Sequence, residues 1–197
     1  AALAADSARR AAADSAQAAA AAALPDTLPM LTVANAADTV GRALWSVWVG
    51  GATSDSAAFP TPTGVDPATL PVLVVAPTVE GTPWVDVYMG AFAQREQAES
   101  LRVSLARRGL LGAGSGQVRR TPFALLLADS VRAVDVPARL QALARRDVRA
   151  YPLARGGGLV ALYAGAYQTQ DQALYLARTL QKAGVPATLV YRIGRSL

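Results

Sequence analysis

Hydrophobic and polar residues follow the same pattern in two stretches of this chain, residues 84–109 and 159–184. In each stretch the spacing of apolar residues predicts a strand, at Trp84–Met89 and at Leu159–Ala164. A Gly-Ala-aromatic turn follows, and then an amphipathic helix that ends at a glycine. The two copies align without a gap at an offset of 75 positions (165 minus 90). Such a fixed offset indicates one supersecondary unit that is used twice.

The pattern outside these copies predicts the remaining elements of the two halves. In the first half these are a strand at Met30–Ala34, a helix carrying Val40, Leu44, Val47 and Trp48 and ending at Gly50, a loop at 52–70, a strand at Leu73–Ala76, a helix at Gln94–Arg108 and a strand at Gln117–Arg120. In the second half they are a strand at Phe123–Ala128, a helix with Pro137 in its first turn and Leu140 on its apolar side, a strand at Arg149–Leu153, a helix from the Thr169/Gln172 capping box to Gly184, and a strand at Ala187–Ile193.

The element order of each half is β-α-β-β-α-β, which is the split-βαβ, ferredoxin-like order. We therefore predict an α+β protein with two tandem units, residues 29–120 and 121–197. Each unit would have a four-stranded antiparallel sheet with two helices on one face. The other sheet face is expected to stay open, because the repeat strands place polar and aromatic residues there.

Residues 1–28 form an alanine-rich arm ahead of these units. Alanine is the best helix former, so the arm is predicted to be helical, and a flexible linker is the alternative. An alanine helix has little to bury by itself, and we expect it to dock on a partner. The chain begins without methionine or an apolar leader, as a processed product would.

Composition removes several kinds of chemistry. The 197 residues include no cysteine and no histidine, which excludes disulfides, thiol catalysis, a histidine-based triad and histidine metal ligands. The carboxylates show no paired spacing of the sort a glycosidase needs. We predict no catalytic, cofactor-binding or metal-binding residues, and no enzyme activity. The net charge of +5 is carried almost wholly by arginine and suits an anionic partner or a membrane surface. No transmembrane segment is predicted.

The two repeat strands and the helices after them resemble the SPOR (sporulation-related repeat) family. The matching residues are Val87 to Phe92 with Ala98 and Gly109, and Leu162 to Tyr167 with Ala173 and Gly184. The resemblance implies two tandem SPOR-like units in an exported, periplasmic protein of the bacterial cell envelope. It also implies binding of peptidoglycan glycan strands on the open sheet face. Tyr88 and Tyr163 stand where that family often has glutamine or arginine.

Six residues are predicted to bind a partner or a glycan: Trp45, Trp84, Tyr88, Arg120, Tyr151 and Tyr163. Tyrosine, tryptophan and arginine dominate binding surfaces, and aromatic rings also stack on sugars. Tyr88 and Tyr163 are expected to face outward on equivalent strands. The alternative is that they only cover the sheet against a neighbouring loop or domain. Trp48 is expected in the core.

Three functions fit these observations. The first is a non-catalytic, membrane-extrinsic structural subunit that docks on a larger envelope or membrane protein complex; a photosynthetic reaction-centre assembly is one such host. The second is a peptidoglycan-binding protein. The third is nucleic-acid binding on a ferredoxin-like sheet, which Asp86 on the open face and the absence of RNP motifs argue against. We favour the first.

Overall fold

The computed structural model describes residues 31–53, 72–75, 78–79, 82–112 and 114–196, with backbone alone for the strand residues 52–53, 72–75, 78–79 and 82–84. The predicted arm and nearly all of the predicted 52–70 loop lie outside these residues. The described chain is α+β and contains two antiparallel sheets and three α-helices. No helix among the described residues is long and apolar enough to span a membrane.

The first sheet is formed by residues up to Arg120. Its strands are β1 (Trp45–Thr53), β2 (Val72–Val75), β3 (Thr78–Val79), β4 (Thr82–Phe92) and β5 (Gln117–Arg120). They lie in the order β2-β4-β1-β5, with β3 pairing to β4. Helix α1 (Arg95–Arg107) follows β4 and covers a core that contains Val47, Met89 and Leu105.

The second sheet begins at Phe123. Its strands are β6 (Phe123–Arg132), β7 (Tyr151–Gly156), β8 (Leu159–Tyr167) and β9 (Thr188–Tyr191), in the order β7-β8-β6-β9. Helices α2 (Val136–Ala144) and α3 (Leu174–Lys182) each follow a 3₁₀ turn. If β3 is left out of the count, the order of strands across each sheet is the second, third, first and last strand of that half.

The two sheets also share their strand register. In β1 and β4 the paired residues are Trp45 with Phe92, Val47 with Met89, Trp48 with Tyr88 and Gly50 with Val87. In β6 and β8 they are Phe123 with Tyr167, Leu125 with Ala164, Leu126 with Tyr163 and Ala128 with Leu162. Irregularities interrupt both ladders at the same two steps. The repeat visible in the sequence is thus a repeat of backbone geometry.

The Gly-Ala-aromatic segment is not the predicted turn: it lies inside β4 and β8, where the strand register is interrupted. Its glycine has a steric cause. Gly90 and Gly165 adopt positive φ values of 77° and 70°. A Cβ on Gly90 would lie 2.2 Å from the Phe92 ring, and one on Gly165 would lie 2.3 Å from the Tyr167 hydroxyl. The aromatic side chain two positions on folds over the glycine, so a side chain at the glycine is excluded.

The predicted helix through Val40, Leu44, Val47 and Trp48 is wrong, because residues 45–53 form β1. Val47 and Val49 are buried, and Ser46 and Trp48 point to the opposite face, which is the alternation of a strand. Pairing with both β4 and β5 outweighs a weak helical periodicity. The predicted strand Met30–Ala34 is also absent among its described residues, which form no strand.

The predicted open sheet faces are not open. Tyr88 of the first sheet belongs to the same hydrophobic core as Tyr151 and Tyr163 of the second. These three side chains are 2%, 3% and 1% exposed. Each half therefore covers the face that its partner half would otherwise leave in water, and Leu31–Leu197 forms one compact unit.

Main-chain contacts join the halves at their ends. Residues before β1 lie along β9: Ala34 N–H donates to Leu189 O at 2.9 Å, and Ala43 N–H donates to Arg192 O at 2.8 Å. The Asn35 carboxamide exchanges two hydrogen bonds with the backbone of Tyr191. Further on, Arg42 forms an isolated bridge with Ile193, and Gly194 N–H donates to Gly41 O at 3.0 Å.

Candidate interaction surface

The six predicted binding residues lie in three different environments. Tyr88, Tyr151 and Tyr163 are buried between the two sheets. Trp45 is partly buried and packs against the core beneath α1, with the Arg95 guanidinium 5.8 Å from its ring centre. Arg120 is exposed at the end of β5. Trp84 is in β4, where its side chain is not described. The structure thus groups the three tyrosines and separates them from Trp45 and Arg120.

The buried tyrosines are ordered by hydrogen bonds. The Tyr151 and Tyr163 rings stack with centres 5.9 Å apart. The Tyr151 hydroxyl donates to Gly165 O at 2.9 Å, and the Tyr163 hydroxyl donates to Ile193 O at 3.0 Å. Burial raises the pKa of both phenols above the ordinary value. In this arrangement neither ring is available to a glycan, so they act as packing between the sheets.

A fully buried arginine accompanies these tyrosines. Arg192 has no exposed surface, and its Nη2 donates to Ser46 Oγ at 3.1 Å and to Thr121 Oγ1 at 2.8 Å. Its Nε and Nη1 have no hydrogen-bond acceptor among the described residues. Desolvation lowers the pKa of Arg192, although the nearby Tyr151 hydroxyl acts in the opposite direction. Burying a charge that has no carboxylate beside it among the described residues costs folding free energy.

One polar aromatic cluster remains partly exposed, and we call it the Trp48 cluster: Trp48, Asp86, Tyr88, Gln117 and Arg119. The Trp48 indole N–H donates to Asp86 Oδ1 at 2.7 Å. The Arg119 guanidinium lies 4.3 Å from the centre of the Trp48 ring and donates to Gln117 Oε1 at 2.9 Å. It also reaches the Tyr88 hydroxyl at 3.5 Å.

Hydrogen bonds and a cation–π contact join each member of the Trp48 cluster to another member, and these contacts make the cluster rigid. Burial raises the pKa of Tyr88, even though the hydrogen bond from Arg119 opposes that change. The phenol therefore stays neutral beside Arg119. Pre-ordered tryptophan, tyrosine and arginine side chains bind at a low entropic cost, which is why they dominate protein interfaces. The cluster has both a carboxylate, from Asp86, and a guanidinium, from Arg119, at a partly exposed surface.

The sequence analysis did not select Trp48, Asp86 or Arg119 as binding residues. Treating residues 40–48 as a helix put Trp48 on its apolar side. The alternation of Val47 and Val49 with Ser46 and Trp48 is the signal that predicts a strand. A strand would have placed Trp48 on the same face as Tyr88 and opposite to Val47.

The described surface also has clefts and acidic residues away from the Trp48 cluster. A cleft of about 450 Å³ lies between the halves, lined by Phe92, Gln97, Arg155 and Arg195 among others. Another cleft, of about 730 Å³, lies at the end of α2 and is lined by Leu140, Asp147 and Arg149 among others. In the part of the chain that the structure describes, no group of three or more acidic side chains converges in a way that could hold a metal ion.

No protein-family model, no curated protein sequence and no solved structure shows significant similarity to this chain.

Proposed function

We propose that this chain is a non-catalytic structural subunit that docks on a larger protein complex through the Trp48 cluster. The observation that carries this proposal is the rigid, partly exposed set of Trp48, Arg119 and Asp86 beside Tyr88. These residue types supply most of the energy of protein interfaces. Each has a fixed geometry before any partner binds, so little conformational entropy would be lost on docking.

We further propose that each half is a ferredoxin-like, SPOR-like repeat and that the chain works at the bacterial cell envelope, extrinsic to the membrane. The shared strand order and register of the two sheets support the first part of this proposal. The location rests on the sequence resemblance alone. A photosynthetic reaction-centre assembly as the host stays a prediction.

Burial of the repeat-strand tyrosines favours a structural subunit over a glycan binder. A glycan strand needs an open sheet face, whereas Tyr88 and Tyr163 are almost fully buried between the halves. Peptidoglycan binding remains the alternative hypothesis. It would have to use the edge of the first sheet, at Trp48.

The test is to purify the native protein in mild detergent, to measure the size of the particle and to identify the subunits that come with it. We expect a stoichiometric complex. Trp48→Ala and Arg119→Ala should each weaken association about 30-fold, the effect of losing a strong interface residue. Tyr175→Ala is the matched control, because Tyr175 is an aromatic residue on α3 that is 50% exposed.

A protein that purifies alone and sediments with purified sacculi would overturn the proposal in favour of peptidoglycan binding. Folding of each variant is checked by circular dichroism. This check matters for Trp48 in particular, since its ring also packs against the core between the sheets.

A further inference from the structure

We propose that the edge of β5 is a docking site for an extended, acidic segment of a partner protein, which would add to the first sheet as a further strand. This inference rests on the proposed docking function and names the kind of partner and its mode of binding. It follows from comparing β5 with its counterpart β9, because the two strands occupy the same position in the two sheets.

The counterpart edge is already occupied. In β9, the backbone groups of Leu189 and Tyr191 point away from β6. Ala34 N–H donates to Leu189 O, and the Asn35 carboxamide bonds both N–H and C=O of Tyr191. The Arg42 guanidinium then covers the Tyr191 ring at 3.7 Å. The residues before β1 thus complete the second sheet.

The register identifies the equivalent positions in β5. Val118 pairs with Val47 as Leu189 pairs with Leu125, and Arg120 pairs with Trp45 as Tyr191 pairs with Phe123. Thr121 N–H donates to Leu44 O, so the alternating backbone groups of Val118 and Arg120 point away from β1. Within the ranges that the structure describes, nothing is bonded to these outward groups.

Among the described residues, none covers β5 as the residues before β1 cover β9. The residues before β1 lie against β9, whereas only Thr121 and Pro122 separate β5 from β6. This two-residue link is too short to run back along the β5 edge. An uncovered strand edge is a template for another strand, and this edge adjoins the Trp48 cluster through Arg119.

Charge indicates the chemistry of the partner. Successive strand residues point to opposite faces, so Arg119 and Arg120 place a guanidinium on each side of the β5 edge. In β9 the same positions are Val190 and Tyr191. An incoming segment with glutamate or aspartate side chains would pair with both arginines, and a basic segment would be repelled.

Amide hydrogen exchange on the full chain provides the first test. We expect the Val118 and Arg120 amides to exchange at least about 100-fold faster than the Tyr191 amide. Tyr191 N–H donates to Asn35 Oδ1, whereas the Val118 and Arg120 amides have no acceptor among the described residues. Protection of Val118 and Arg120 in the free chain would mean that residues 1–30 or 54–71 already occupy the edge, and it would overturn the proposal.

Titration with a defined peptide is the second test. The blocked peptide Thr-Glu-Val-Glu-Val-Glu-Thr should slow exchange at Val118 and Arg120 at least about tenfold, and its lysine analogue should not. Arg120→Glu should abolish the effect, and Arg107→Glu, which makes the same charge change on α1, should not. Arg120→Pro removes the outward N–H together with the guanidinium and should abolish the peptide's effect at Val118, where exchange can still be followed. If both peptides act equally or neither acts, the proposal fails.

The native complex separates this inference from the docking function. Protection of Val118 and Arg120 in the complex, with loss of the Val118 protection in Arg120→Pro, supports strand addition. If the complex forms but these amides still exchange fast, docking stands and strand addition is wrong. In that case the charges of Arg119 and Arg120 serve only to disfavour aggregation through this strand edge.

Discussion

Arg192 donates a 2.8 Å hydrogen bond to Thr121, and these two residues occupy equivalent positions in the two halves. Thr121 follows β5 and donates its backbone N–H to Leu44 O, just as Arg192 follows β9 and donates to Pro122 O. A contact between equivalent positions is typical of an isologous interface near its symmetry axis. The two halves therefore pack like the subunits of a dimer within one chain.

The first prediction concerns the charge of Arg192. Replacing it with methionine should raise the free energy of unfolding by about 1 kcal/mol, because an apolar side chain of similar length avoids the desolvation cost of an unpaired guanidinium. Arg192→Ala should instead lower it by about 3 kcal/mol through the cavity it leaves. Urea denaturation measures both. A loss of more than about 2 kcal/mol in the methionine variant would show that the guanidinium has an anionic partner outside the described residues.

The second prediction concerns alkaline pH. Burial raises the pKa values of Tyr88, Tyr151, Tyr163 and Tyr167, so folding favours their protonated forms. This stability is fully present below pH 10 and is lost as the pH rises above 10, where the unfolded phenols ionise. At pH 11 the loss is about 1.4 kcal/mol for each phenol that stays protonated in the fold.

Urea denaturation at pH 9 and pH 11 tests this dependence. Tyr151→Phe should reduce the difference in unfolding free energy between pH 9 and pH 11 by the contribution of one phenol, about 1.4 kcal/mol. Tyr175→Phe, at a residue that is 50% exposed, should leave the difference unchanged. Equal unfolding free energies for the wild type at both pH values would contradict the prediction.

The third prediction separates steric clash from backbone strain at the glycines. Gly90→Ala and Gly165→Ala should each lower the free energy of unfolding by about 3 kcal/mol, because the new Cβ would overlap an aromatic ring. Gly157→Ala is the control: its φ is 60°, but no atom lies within 4 Å of its Cβ position. Gly157→Ala should lower the free energy of unfolding by about 1 kcal/mol, because only the left-handed backbone conformation opposes the new side chain. Similar losses at all three glycines would refute the ring overlap.

The fourth prediction concerns how helix α2 ends. Gly109 and Gly184 end α1 and α3 in the left-handed conformation, and Asp147 takes that role after α2 with φ of 56°. Val148 N–H donates to Leu143 O as Val185 N–H donates to Leu180 O. Asp147→Gly should therefore raise the free energy of unfolding by about 0.5–1 kcal/mol in thermal or urea denaturation. Gly184→Asp, the reverse change, should lower it, and a destabilised Asp147→Gly would contradict this account.

Local chemistry made several elements predictable. The boundaries of β5 match the prediction residue for residue, and α1 differs by one residue at each end. Gly109 and Gly184 sit at the helix ends where they were expected, and Pro137 lies in the first turn of α2. Caps, turns and apolar spacing depend on residues only a few positions apart, so they can be recognised in the sequence.

The candidate site was less predictable because it depends on which strands meet. Trp48 was assigned to a helix, and only pairing with β4 and β5 makes it a strand residue beside Asp86 and Arg119. Those partners lie 38 and 71 positions away (86 minus 48, 119 minus 48). No short-range pattern records such a contact, since β structure is decided by packing against distant neighbours.

The sequence by itself determined that this chain carries one strand–helix unit twice. A left-handed glycine beneath an aromatic ring is a local steric requirement, and the Gly-Ala-aromatic segment that meets it occurs in both copies. Only the tertiary structure decided whether the aromatic sheet faces are exposed or buried. Tyr88 and Tyr163 have the same pattern whether they face water, a glycan or each other's sheet. Burying those apolar faces against each other removes them from water, and that gain depends on the packing of two whole sheets rather than on any one residue.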